Sequence, residues 1–128
     1  MARILVVDDE PDVVDLVRTI LETEGHEVTA ATRGKEALGL MLAEPPDLLV
    51  LDLMMPELDG FQMLRLIRMD ERTATVPVLI LSARTQTQDQ LGGLQAKASA
   101  YVCKPFSPKE LLAEVRNLLG SGTRRIDA

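Results

Sequence analysis

Several short runs in this chain are apolar at every position rather than at every second one. Ile4-Leu5-Val6-Val7 and Leu48-Leu49-Val50-Leu51 contain no polar residue, and Val78-Leu79-Ile80-Leu81 repeats the pattern after Pro77. A strand with one face in water alternates apolar with polar residues, so unbroken runs mark strands covered on both faces. Such strands belong to parallel sheets with helices packed above and below, which argues against a sandwich or an open antiparallel sheet.

The segments between these runs read as helices. Pro11 suits a first helical turn, where its missing N–H costs nothing, and Val13, Leu16, Val17, Ile20 and Leu21 follow at helical spacing. Gly25 is placed to end that helix in a left-handed conformation. Glu27 to Ala31 reads as a short second strand. Thr32 is expected to cap a helix to about Ala43, with Ala37, Leu38, Met41 and Leu42 as its apolar positions, before Pro45-Pro46. A third helix is expected from about Phe61 to Met69, with Phe61, Met63, Leu64 and Ile67 facing inward. A weaker helical segment from about Gln86 to Lys97 is interrupted by Gly92-Gly93, and Ala100 to Cys103 forms a fifth strand. Ser107-Pro108-Lys109-Glu110 combines a capping serine, a proline at the first helical position and a glutamate three residues after the cap. Its helix, carrying Leu111, Leu112, Val115, Leu118 and Leu119, is expected to stop at Gly120. Residues 1–120 then form one domain, and 121–128 a flexible tail or linker stub.

Strand and helix alternate, which dictates right-handed crossovers and an α/β fold: a doubly wound, five-stranded parallel sheet with helices on both faces. The expected strand order is 2-1-3-4-5, a flavodoxin-like arrangement, with a crevice at the carboxyl ends of strands 1 and 3. At 128 residues the chain is expected to make one core burying roughly two thirds of its unfolded surface. The formal net charge of −6 argues against duplex nucleic acid as a direct partner. No apolar run approaches a membrane span and the N-terminus lacks a signal-peptide layout, so a cytoplasmic protein is expected. The lone Cys103 allows no internal disulfide and reads as a small strand residue, and the lone His26 reads as a solvated loop histidine.

The ends of the strands carry the chemistry. The first run ends in Asp8-Asp9 and the third in Asp52, while Ser82 and Lys104 end the fourth and fifth. Carboxylates gathered at one sheet edge repel by several kcal/mol unless a cation compensates them. With hard oxygen ligands and no sulfur or imidazole at the edge, Mg²⁺ fits better than zinc. Acids, lysine, serine and Mg²⁺ together suit phosphoryl transfer to a carboxylate. Asp52 is the candidate nucleophile, Lys104 and the metal neutralise phosphoryl oxygens, and Ser82 donates a hydrogen bond to one of them.

Four stretches, in order and each at a strand end, resemble the receiver domain of two-component response regulators. They are Val6-Val7-Asp8-Asp9-Glu10, Leu51-Asp52-Leu53-Met54-Met55-Pro56 with Asp59-Gly60, Leu81-Ser82-Ala83, and Tyr101-Val102-Cys103-Lys104-Pro105-Phe106. The resemblance runs from about Arg3 to Leu119. It implies that Asp52 accepts a phosphoryl group from a histidine kinase or histidine phosphotransfer protein, in an Mg²⁺-dependent self-modification rather than turnover of a separate substrate. It implies Asp9, Asp8, Asp52 and the backbone carbonyl of Met54 as metal ligands, Ser82 and Tyr101 as a switch pair, and a cis Lys104–Pro105 bond. The implied output is a protein-interaction surface read by a downstream protein or a fused output domain. The segment 86–97, weakened as a helix by Gly92 and Gly93 and flanked by Ser82 and Tyr101, and the strand after it are the expected surface. Many receivers carry Gly-Ala-Asp-Asp before the tyrosine, where this chain has Lys97-Ala98-Ser99-Ala100, and Glu114 stands where the DNA-binding subfamily often has a basic residue. Both departures remove charged dimer contacts of that subfamily, which leaves a monomer or weak dimer. Two other readings stay open. One is a haloacid-dehalogenase-type phosphatase, although its usual second aspartate would fall on Met54; the other is a degenerate receiver acting only as a docking module.

Overall fold

A computed structural model of the protein describes the backbone of residues 2–52, 60–83 and 98–127 and the side chains of 2–52, 62–81 and 98–120. Five strands, β1 (Arg3–Val7), β2 (Glu27–Ala31), β3 (Leu48–Asp52), β4 (Val78–Ala83) and β5 (Ala100–Lys104), form one sheet in the order β2-β1-β3-β4-β5. Every pairing is parallel. The described helices are α1 (Pro11–Thr23), α2 (Gly34–Ala43), α3 (Gly60–Met69) and α4 (Pro108–Asp127). The expected doubly wound architecture and its strand order are the observed ones.

The unbroken apolar runs bury both faces because successive strand residues point to opposite sides. Leu5, Val7, Leu49, Leu51, Val78 and Ile80 pack with Met41 of α2 and with Met63, Leu64 and Ile67 of α3. Ile4, Val6, Leu48, Val50, Leu79, Leu81 and Val102 pack on the other face with Val17, Ile20 and Leu21 of α1 and Leu111 and Val115 of α4. Each strand residue serves one of two cores.

The helix ends follow local chemistry unevenly. Gly25, at φ 87°, closes α1: its N–H donates to the Glu22 carbonyl at 3.0 Å and that of His26 to Leu21 at 3.4 Å. At the start of α4, the Glu110 N–H donates to Ser107 Oγ at 3.1 Å and the Ser107 N–H to Glu110 Oε1 at 3.2 Å, a reciprocal cap. Three expectations need correction. Thr32 does not cap α2: that helix begins at Gly34, with an extended Arg33 at the cap position and no side-chain cap. Leu16 is 49% exposed, and Val14 takes the inward position on α1 instead. Helix α4 does not stop at Gly120 but continues to Asp127, since Gly120 and Gly122 keep ordinary negative φ and so form no left-handed cap. The helical segment expected at 86–97 and the loop bearing Met54 and Asp59 lie outside the described residues.

Candidate functional site

The register of the sheet sets the site. Val7 pairs with Leu51, so Asp8 leaves β1 beside Asp52, the last residue of β3. Both are withdrawn from solvent, Asp8 fully and Asp52 to 4% exposure. Beyond Asp8 the chain turns into α1, with the Glu10 N–H donating to Asp8 Oδ1 at 3.0 Å. From the far side, β5 brings in Lys104, level with Ala83 at the end of β4. The bond from Lys104 to Pro105 is cis, as the resemblance implies.

The Lys104 ammonium stands among three carboxylates. Nζ lies 2.9 Å from Asp8 Oδ2, 3.3 Å from Glu10 Oε1 and 3.6 Å from Asp52 Oδ2. Burial alone would push the lysine down, but the hydrogen bonds to Asp8 and Glu10 and the charges of Asp52 and Asp8 outweigh it and hold Lys104 above its ordinary value. Two buried carboxylates thus share a single ammonium among the described residues. Asp8 Oδ2 is sealed from water, and among the described residues its charge is met only by the Lys104 ammonium 2.9 Å away. One oxygen each from Asp8, Asp9 and Glu10 lie within 4.8 Å of one another. An under-neutralised, all-oxygen acidic corner of this kind fits a hard divalent cation such as Mg²⁺.

The sequence-derived residues are thus partly gathered. Asp8, Asp9, Asp52 and Lys104 converge on one edge, while Met54 and the side chain of Ser82 lie outside the described residues. Tyr101 is not at the acidic corner: it pairs with Ile80 and packs half-buried against the core on the α2–α3 side, where burial raises its phenol above the ordinary value. Glu10 was missed as a member of the site. The signal available was its place directly after Asp8-Asp9, but its partner Lys104 is 94 residues away and only the fold shows the contact. His26 is also corrected: it is half-buried, its Nδ1 accepts the Ala2 N–H at 3.2 Å, and burial lowers its imidazole below the ordinary range.

Residues 4–116 match the family model of the response regulator receiver domain. This chain belongs to that family. As a receiver domain it is 46% identical over 119 residues to the DNA-binding dual master transcriptional regulator RpaA of Synechocystis, covering 93% of this chain and 49% of RpaA. It is 44% identical to the response regulator SaeR of Staphylococcus aureus, over 93% of this chain and 51% of SaeR. The receiver therefore spans about half the length of these relatives. Among solved structures, the receiver domain of a Francisella response regulator superposes with a TM-score of 0.84 at 36% identity, covering 95% of this chain and 99% of that one. The chemotaxis protein CheY4 of Vibrio cholerae gives 0.85 at 29%, covering 92% and 98%. The chain is thus a receiver-domain signalling switch of two-component response regulators, which sets aside the phosphatase reading. No helix among the described residues is long and apolar enough to cross a membrane.

Proposed function

We propose that Asp52 is the phosphoacceptor and that Asp8, Asp9 and Asp52, with the carbonyl of Met54, hold the Mg²⁺ that the transfer needs. The observation that carries this reading is the burial of Asp8 and Asp52 around one shared ammonium. A carboxylate kept in a dry, cation-facing corner is desolvated and aimed, which suits a nucleophile. In the transfer, an Asp52 oxygen forms a bond to phosphorus as the bond from phosphorus to the donor's imidazole nitrogen breaks, and that nitrogen leaves with the bonding pair. Lys104, already within 3.6 Å of Asp52, meets a phosphoryl oxygen with its ammonium. Mg²⁺, when bound, supplies charge neutralisation at the phosphoryl oxygens. The donor is a histidine kinase or phosphotransfer protein. Ser82 and Tyr101, at the ends of the segment leading from β4 to β5, relay the new charge to a surface read by a downstream protein or by an output domain of a longer chain.

Acetyl phosphate treatment followed by mass spectrometry tests this. The expected result is one added phosphate, lost in Asp52→Asn and in EDTA, with no turnover of a small phosphoester. Labelling that persists in Asp52→Asn overturns the assignment. Absence of labelling in the native chain, from acetyl phosphate and from a phosphorylated kinase alike, leaves the docking-module reading in its place.

A further inference from the structure

Glu10 occupies the cap position of α1, with extended backbone (φ −94°, ψ 110°) that would let a carboxylate reach back to the first helical N–H groups. It makes no such bond. Its carboxylate, 62% exposed, reaches across the crevice to Lys104 Nζ at 3.3 Å instead. The other two carboxylates on that ammonium are buried, so Glu10 is its only outward-facing partner among the described residues.

We propose that Glu10 is a positioning residue for Lys104, an outer counter-ion that draws the ammonium away from Asp8 when a divalent cation enters. This inference rests on the Mg²⁺ reading of the site given above. Lys104 now lies 2.9 Å from Asp8 Oδ2, a buried oxygen that a cation in the corner needs. A dication and an ammonium cannot share one carboxylate oxygen without strong repulsion. The ammonium has to move, and moving into bare solvent would give up every partner at once. Glu10 offers a carboxylate on the solvent side along that path, and because Glu10 is exposed, holding Lys104 there costs little desolvation. From that position the ammonium still faces Asp52, where a phosphoryl oxygen arrives. The diverted cap is the local cost of this arrangement.

Mg²⁺ affinity measured by titration calorimetry on the native chain, Glu10→Gln, Lys104→Met and the double variant tests the proposal. Glu10→Gln is expected to weaken Mg²⁺ by about threefold, the size of one exposed ion pair. With Lys104→Met in the background the same change should fall to about 1.5-fold, because the competing ammonium is gone. An equal loss in both backgrounds overturns the proposal and makes Glu10 a metal ligand or a remote charge. Should Lys104→Met not fold, the ε-carbon resonance of Lys104 in ¹³C-lysine protein gives the answer without it. That resonance should shift on Mg²⁺ addition in the native chain and shift differently in Glu10→Gln; identical shifts overturn the proposal. No Mg²⁺ binding by the native chain overturns the metal reading itself, and this inference with it.

Discussion

Two of the described helices begin on proline, and one of the two is capped by a side chain. Ser107 before Pro108 accepts the Glu110 N–H on its hydroxyl oxygen and donates its own N–H to the Glu110 carboxylate in return. Glu10 before Pro11 has the same position and a suitable backbone, yet its side chain leaves the helix and meets Lys104. At α4 the sequence spends its polar residues on local stability. At α1 the same positions are given to a corner where Asp8, Asp9 and Glu10 crowd together, which no isolated helix would favour. The acidic turn is a local liability that makes sense only as half of a site completed by another strand.

The comparison is sharpened most by Asp9→Ala. Removing one crowded carboxylate should stabilise the metal-free protein by about 1–2 kcal/mol and abolish the Mg²⁺-dependent rise in melting temperature. A variant less stable in EDTA would mean that the turn before α1 supports the fold after all. At the other helix the sign reverses. Ser107→Ala should cost about 1 kcal/mol in urea unfolding and leave acetyl phosphate labelling unchanged. A smaller effect follows from giving α1 the cap that α4 has. Glu10→Ser should gain about 0.5 kcal/mol while weakening Mg²⁺, and a loss of stability would show that the contact with Lys104 outweighs a cap.

The smallest effect is in alkaline solution. Lys104 is held above its ordinary value in the folded protein, so its contribution is fully present below about pH 10.4 and is lost as pH rises through the folded value. Tyr101, also raised, loses stability in the same direction. The difference between native and Glu10→Gln melting curves from pH 9 to 12 isolates the lysine part, which should be shallower in the variant.

The sheet was legible in the sequence because an unbroken run such as Leu48 to Leu51 has no other soluble use, and because parallel strands order themselves under a handedness rule. The start of α4 was legible for a similar reason, since Ser107, Pro108 and Glu110 act within four residues of one another. What was missed is long-range or permissive. Thr32 can cap a helix, but whether it does depends on where Gly34 packs, and Gly34 is buried. Gly120 can end a helix but does so only in a left-handed conformation it does not adopt. Asp8, Asp52 and Lys104 were found as strand ends. Glu10 was hidden because a glutamate before a helix has an ordinary local explanation, and the structure alone shows it declining that role.

The sheet order places the two halves of the crevice on different mechanical footings. The strands that deliver the acids, β1 and β3, are each held by neighbours on both sides, whereas β5, which delivers the lysine, is paired among the described residues with β4 alone. The anionic half is therefore an anvil fixed in the middle of the sheet, and the cationic half rides on its rim. Pressure on the outer side of β5 would reach Lys104 before it reached the strands that hold the acids. A partner bound at that rim and a phosphoryl group bound at Asp52 would thus each sense the other through the displacement of one edge strand.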